Sequence, residues 1–369
     1  MTDVKKRSLL WDIFKGFGIS FIVFGHTGKT GGAIVYLFHL ALFFFVTGYF
    51  FNEERYGDKP FTYFGHRLGG SWPRYMLYCI FFAVTHNYCV VHGLMPDGAV
   101  IYGETEFLKS ILNSMVFERP ELYAGPMWFV PLWLLGGALF AGVDYIAGVL
   151  GDRDGNTAFW NTKNKIITVL SSACIIIGLY AVDKSIMIPF HMELAFVIEP
   201  FFAFGYFMHR YFCDWQEKMP WFFMIPLAAF IFFLFTRFIA AGIWFDLASQ
   251  YIFGLWYYVG GVLGIIFTIL ISKLLERVSK PAASLMALIG RYSFDIMALH
   301  IFVFKMLDMV LRKLYYRDPG MDISAYPSPL SQKWWVLYLV VAVLLPLLVG
   351  IVLDRISGFI KKAIYKKRV

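Results

Sequence analysis

Lys15 and His26 stand eleven residues apart in the apolar segment LLWDIFKGFGISFIVFGH. At about 100° per residue, eleven steps of an α-helix complete three turns plus roughly 20°. Both side chains therefore share one helix face, about 16–17 Å apart along the axis. A cation low and an imidazole high on that face suit the two ends of one long, anionic, reactive molecule. Neutral histidine is the usual base for activating a hydroxyl near ambient pH, which makes His26 the candidate base. The same chemistry needs something that steadies charge growing on a carbonyl oxygen. His39, in the next apolar run, Arg237 and backbone N–H groups are candidates for that task.

Further ionisable residues sit inside apolar stretches: Asp12, Glu199, His300 and Lys305. Such groups are expensive in a bilayer and usually face a protein-lined cavity. Each also has a plainer reading. Lys15 can snorkel to the headgroups or pair with Asp12 at i, i+3. His39, His86, His191 and His300 each suit a hydrogen bond to a neighbouring helix. Arg67 and Arg74, in FGHRLGGSWPRY, can anchor the cytoplasmic leaflet or bind phosphate. The four cysteines form no C-x-x-C pair, so neither a metal site nor a disulfide framework is expected. Gly16, Gly18 and the Gly260–Gly261–Gly264 set suit close helix packing; with no strand before them they make no nucleotide loop.

The elements that must position these residues follow from composition. Of 369 residues, 59% are hydrophobic, against about 45–50% in soluble proteins. The fold class expected is all-α, a polytopic membrane helix bundle of about ten spans. They fall near 9–27, 33–51, 73–92, 126–150, 166–183, 191–210, 221–241, 251–272, 292–312 and 334–356. With both termini cytoplasmic, 22 of 33 basic residues lie inside, among them Lys5, Arg7 and Arg153, and 8 outside, among them Arg119. That bias favours this count and orientation, and it reads the net charge of +8 as topology rather than as a nucleic-acid partner. A single domain, 1–369, is expected, with short tails at 1–8 and 357–369. No signal-peptide pattern precedes the first span, which is expected to stay in the mature protein. Outside, residues 93–125 contain an amphipathic helix with Phe107, Leu108, Ile111, Leu112 and Met115 on one face. The external loop 313–333 has the length of a lid or binding loop, and 151–165 reads as a polar connector.

The order of motifs resembles the acyltransferase-3 family of integral membrane acyltransferases. The resemblance lies in D-x-x-K-G with G-H ten residues after the lysine, and in FHLALFFFVTGYFF (38–51) and RLGGSWPRYMLY (67–78). It continues through PMWFVPLWLL (126–135) and IGRYSFDIMALH (289–300). The shape is closest to the stand-alone sugar O-acetylases of the fucose-4-O-acetylase kind. Departures are Ala41 where proline is usual, Thr47 for serine, and Gly70 at a position often basic in the Arg-x-x-Arg motif.

The resemblance implies O-acylation, most often acetylation, of an envelope glycan or lipid-linked sugar. It implies His26 as catalytic residue, with His39 beside it. It implies acyl-CoA as co-substrate rather than a bound cofactor, met by Lys15, Arg67 and Arg74. Asp12, Trp128, Glu199, Arg237 and His300 would support the site. The location implied is the bacterial cytoplasmic membrane. A second reading treats the polar cavity as the path of a glycan or lipid transporter or flippase. Paired inverted repeats with broken helices would favour that reading, and the sequence shows no internal repeat.

Overall fold

A computed structural model describes residues 8–118, 121–151, 158–325 and 328–366. Residues 1–7 and 367–369 of the expected tails, Arg119, and Arg153 of the connector lie outside the described residues. Within them the structure is helical apart from one isolated antiparallel bridge, Asp246 to Tyr251. It is a polytopic helical bundle. Seven helical stretches among the described residues are long and apolar enough to cross a membrane.

The helices in chain order are α1 Leu9–His26, α2 Gly32–Tyr36, α3 His39–Tyr49, α4 Glu53–Tyr56, α5 Pro60–Val91, α6 Glu104–Met115, α7 Phe129–Leu150 and α8 Thr162–Asp183. They continue as α9 Met192–Phe212, α10 Trp215–Lys218, α11 Trp221–Ala240, α12 Trp256–Val278, α13 Lys280–Arg291, α14 Ser293–Val310, α15 Pro329–Lys333 and α16 Trp335–Lys366. A 3-10 turn over Leu122–Trp128 leads into α7. Of the ten expected spans, α5, α9 and α14 are the three that fall outside the seven apolar stretches. In two of them the polarity is internal: α14 buries Asp295, His300, Lys305 and Asp308, and α9 buries Glu193 and Glu199.

Three departures from the expected segments shape the site. The second span is broken: α2 ends at Tyr36, and Phe38 (φ −155°, ψ −14°) turns the chain before α3 begins at His39. The Phe38 ring packs where a Cβ on Gly264 of α12 would stand, so the absent side chain admits the break. The basic inner segment 280–291 is a helix, α13, which buries Ala283, Ala287 and Gly290. It crosses α1 backbone to backbone. A Cβ on Gly290 would collide with the Asp12 carbonyl, and one on Gly16 with the Met286 carbonyl. Finally, α5 runs inward as far as Pro60, well before the expected start at 73. That extension carries Tyr63, His66 and Arg67.

In the outer segment, α6 turns Ser110 and Ser114 inward and leaves Leu108, Leu112 and Met115 exposed. An apolar face outward and a polar face inward suit a helix lying against lipid. At the opposite end of the bundle Glu53 ties its own α4 to α8 and α9. It receives Lys163 Nζ at 2.6 Å, the Tyr206 hydroxyl at 2.7 Å, and Arg210 Nη1. Lys163 also reaches the fully buried Asp144 at 2.5 Å. Burial alone would push the Glu53 carboxyl up. Hydrogen bonds from Lys163 and Tyr206, with the Lys163 and Arg210 charges, outweigh it and hold the group below its ordinary value.

Candidate active site

Helix α1 runs unbroken from Leu9 to His26. Residues 15, 19, 22 and 26 therefore form one stripe at i, i+4, i+7 and i+11. The bundle opens against that stripe. Ile22 and His26 line an outer cavity of about 230 Å³ with His39, Tyr36, Trp128, Asp246 and Tyr257. Lys15, Ile19 and Ile22 line a middle cavity of about 270 Å³ with Thr47, Arg67, Phe129 and Trp133. Ile22, Phe129 and Met297 line both, so the two cavities adjoin at these residues, here called the neck. An inner cavity of about 580 Å³ shares Phe50, Arg67, Trp133 and Phe294 with the middle one and adds Asn52, His66, Arg74 and Arg291. A row of adjoining cavities thus runs from the arginine-bearing helix ends to His26.

Three histidines gather at the outer end. The His26 ring centroid lies 5.1 Å from that of His300 and 6.4 Å from that of Tyr36, and Tyr36 lies 5.0 Å from His39. His39 Nδ1 is 2.7 Å from the Val35 carbonyl, the last turn of α2 reaching across the Phe38 break. In a neutral ring that bond places the proton on Nδ1 and leaves Nε2 as an acceptor. His300 is held likewise, its Nδ1 3.0 Å and 2.8 Å from the Ile296 and Met297 carbonyls. Its Nε2 is buried and has no partner among the described residues.

The cations are disposed unequally. Lys15 lies 2.8 Å from Asp12, whose other oxygen takes Arg291 at 3.2 Å. Arg74 is committed to Asp295 at 2.7 Å and Asp354 at 3.1 Å, tying α5 to α14 and α16. Arg67 forms no carboxylate pair among the described residues. Its guanidinium carbon sits 5.3 Å from the ring centroids of both Tyr63 and Trp133. The Trp133 indole N–H is fixed by the Thr47 hydroxyl at 2.8 Å. A flat cation held between two rings, in the wall of two cavities, is free to offer its N–H groups to an anion.

The remaining sequence candidates divide. Trp128 lines the outer cavity. Glu199 is buried in α9, accepting from the Ser171 hydroxyl at 3.0 Å, away from the three cavities. Arg237 is exposed on α11 and lines none of them. Sequence reasoning passed over Asp246, Tyr257, Trp133 and Arg291. Trp133 and Arg291 lie in the very segments that carried the resemblance. Asp246 and Tyr257 come from the loop after α11 and the first turn of α12, where no motif pointed. Among the described residues no group of three or more His, Cys, Asp or Glu could hold a metal ion.

The sequence profile of a family described as an acyltransferase domain, acyltransferase-3, matches residues 10–354. The chain belongs to that family. No curated protein and no solved structure matches it. It is a membrane acyltransferase, and the stripe of α1 and the cavities along it lie wholly within the matched region.

Proposed function

We propose that this acyltransferase moves an acyl group, most simply acetyl, from cytoplasmic acyl-CoA to a hydroxyl of an envelope glycan or lipid-linked sugar, with His26 as general base. The observation that carries the reading is the row of cavities joining Arg67 to His26 along one face of α1. Coenzyme A is long, phosphorylated at one end and acylated at the other. Its phosphates would meet Arg291 and Arg67 at the inner cavity, with Lys15 next in the middle one. Arg74 would shape that cavity rather than bind, its donors being occupied. The pantetheine arm would follow Ile19 and Ile22 to the neck.

The acceptor would enter the outer cavity beneath the 241–255 loop. Trp128 offers a face for a sugar ring, and Asp246 and His39 Nε2 accept from sugar hydroxyls. His26 removes the proton of the attacking hydroxyl as its oxygen bonds to the thioester carbonyl carbon. The tetrahedral intermediate then expels the thiolate. The C–S bond breaks, the proton passes from His26 to sulfur, and CoA leaves inward. Holding both substrates in one narrow chamber contributes much of the acceleration. The basic bias of the segments expected inside supports a cytoplasmic membrane with the donor side inward.

The test incubates purified protein with radiolabelled acetyl-CoA and a panel of lipid-linked sugars. Labelled sugar from wild type, with none from an equally folded His26→Ala protein, supports the reading. Equal labelling by both defeats the base assignment. Saturable movement of the glycan across vesicles with no label transferred favours the transporter.

A further inference from the structure

Tyr257 stands on the first turn of α12, in the wall of the cavity that holds His26 and His39. It is 3% exposed, and its hydroxyl has no hydrogen-bond partner among the described residues. Three other enclosed phenols, the half-buried Tyr258 among them, are paired. Tyr258 donates to the Val197 carbonyl at 3.0 Å, Tyr338 to Asp308 at 2.5 Å, and Tyr123 to the Leu94 carbonyl. Leaving a buried hydroxyl unpaired forfeits its hydration with nothing in return. The ring does not need its oxygen to pack: Phe245 and Phe201 meet it edge-on at 5.4 Å and 5.6 Å. Phenylalanine would fill the same space without that cost.

The other polar groups around the cavity show what the hydroxyl awaits. Asp246 and the Nε2 atom of His39 are acceptors, suited to sugar O–H groups. Tyr36 and Trp128 carry donors, but both side chains are half-buried and can satisfy themselves with water. Tyr257 is the sealed donor. Of the acceptors the reaction brings there, the acyl carbonyl oxygen is the one that gains negative charge as the sugar hydroxyl attacks.

We infer that Tyr257 is a catalytic residue whose hydroxyl donates to the carbonyl oxygen of the acyl group and stabilises it as an oxyanion. The role rests on the acyl transfer proposed at His26. Tyr257 keeps its proton throughout. Negative charge collects on the carbonyl oxygen when the C–O bond forms and returns to the carbonyl when the C–S bond breaks. Removing one such donor typically lowers kcat by about 10²–10³-fold.

The experiment compares full-length wild type with Tyr257→Phe, in the same detergent, with [1-¹³C]acetyl-CoA. Isotope-edited infrared spectra of the bound donor should show the thioester carbonyl stretch lowered in wild type and returned toward its free value in Y257F. Turnover should fall about a hundredfold, with KM for acetyl-CoA within threefold and an unfolding temperature equal or higher. A merely structural tyrosine would move stability instead. An unchanged carbonyl frequency, or a kcat within threefold of wild type, overturns the role of the hydroxyl alone. Wild type that binds no acetyl-CoA overturns the donor assignment, and this inference with it.

Discussion

The His26 and His300 rings lie 5.1 Å apart at a tilt of 50°, and His300 has one nitrogen pledged to two carbonyls and the other without a partner among the described residues. A base that takes a proton becomes a cation in a buried site. A neutral neighbour with a spare lone pair stabilises that cation without adding charge. His300→Phe should therefore lower kcat by about 10–100-fold, in the range of a lost charge-assisted hydrogen bond. KM for acyl-CoA should barely move. His300→Gln, whose amide oxygen can replace the lone pair, should recover part of the loss. Equal activity in the Phe and Gln variants would remove His300 from the mechanism.

Arg67 and Arg74 should separate cleanly. Arg67→Lys keeps the charge but loses the flat ion between Tyr63 and Trp133, so KM for acyl-CoA should rise about tenfold, near the ~1 kcal/mol of a stacked cation. Arg74→Gln takes the cation from Asp354 and from Asp295, which keeps the Tyr78 hydroxyl. It should lower the unfolding temperature and affect KM only in proportion to folded protein. Donor titrations and thermal unfolding on the same preparations check both. A KM effect confined to the Arg74 variant would reverse the assignment of donor contact.

Much of this arrangement was legible in the chain because helix geometry is rigid. The stripe through residues 15, 19, 22 and 26 follows from a period of 3.6 alone, and α1 carries no break to disturb it. The bundle class followed from apolar length. Other features depend on partners distant in sequence. The break at Phe38 exists because Gly264 leaves room for its ring. The extension of α5 to Pro60, which presents Arg67 beside Trp133, lies in a segment too polar to read as a span. The unpaired state of Tyr257 is a fact about surroundings, and no local pattern encodes it. Arg237 and Glu199 had the right charge and depth, but which face of a helix meets the cavity is decided by packing. Both face elsewhere.

The crossing of α1 and α13 sets the height of Lys15 and the position of Asp12, and it depends on the bare backbone of Gly290. Gly290→Ala gains intrinsic helix propensity, so on local grounds it would stabilise. The added methyl instead meets the Asp12 carbonyl, a backbone atom that cannot rotate away. Overpacking of this sort costs about 1–3 kcal/mol. The Ala variant should unfold several degrees lower in detergent and show a raised KM for acyl-CoA. Gly358→Ala in α16, with no atom near the added carbon, is the matched control and should unfold no lower, with KM unchanged. Identical behaviour of the two variants would mean the crossing is not tight.

Glu53 gives a prediction in pH. Its carboxyl is held below the ordinary value of 4.5 in the folded protein, with burial opposing and Lys163, Tyr206 and Arg210 prevailing. A carboxyl depressed on folding adds stability above its unfolded pKa and loses it as pH falls through the folded one. Glu53→Gln should therefore destabilise by about 1–3 kcal/mol at pH 7, the range for hydrogen bonds to a charged group. The deficit should shrink below about pH 4, where the wild-type carboxyl begins to protonate. Lys163 keeps Asp144 in either protein, so the variant should stay folded. Unfolding curves for both proteins at pH 7 and in the acid range decide the matter. A deficit of constant size across that range would show that Glu53 acts through packing rather than charge.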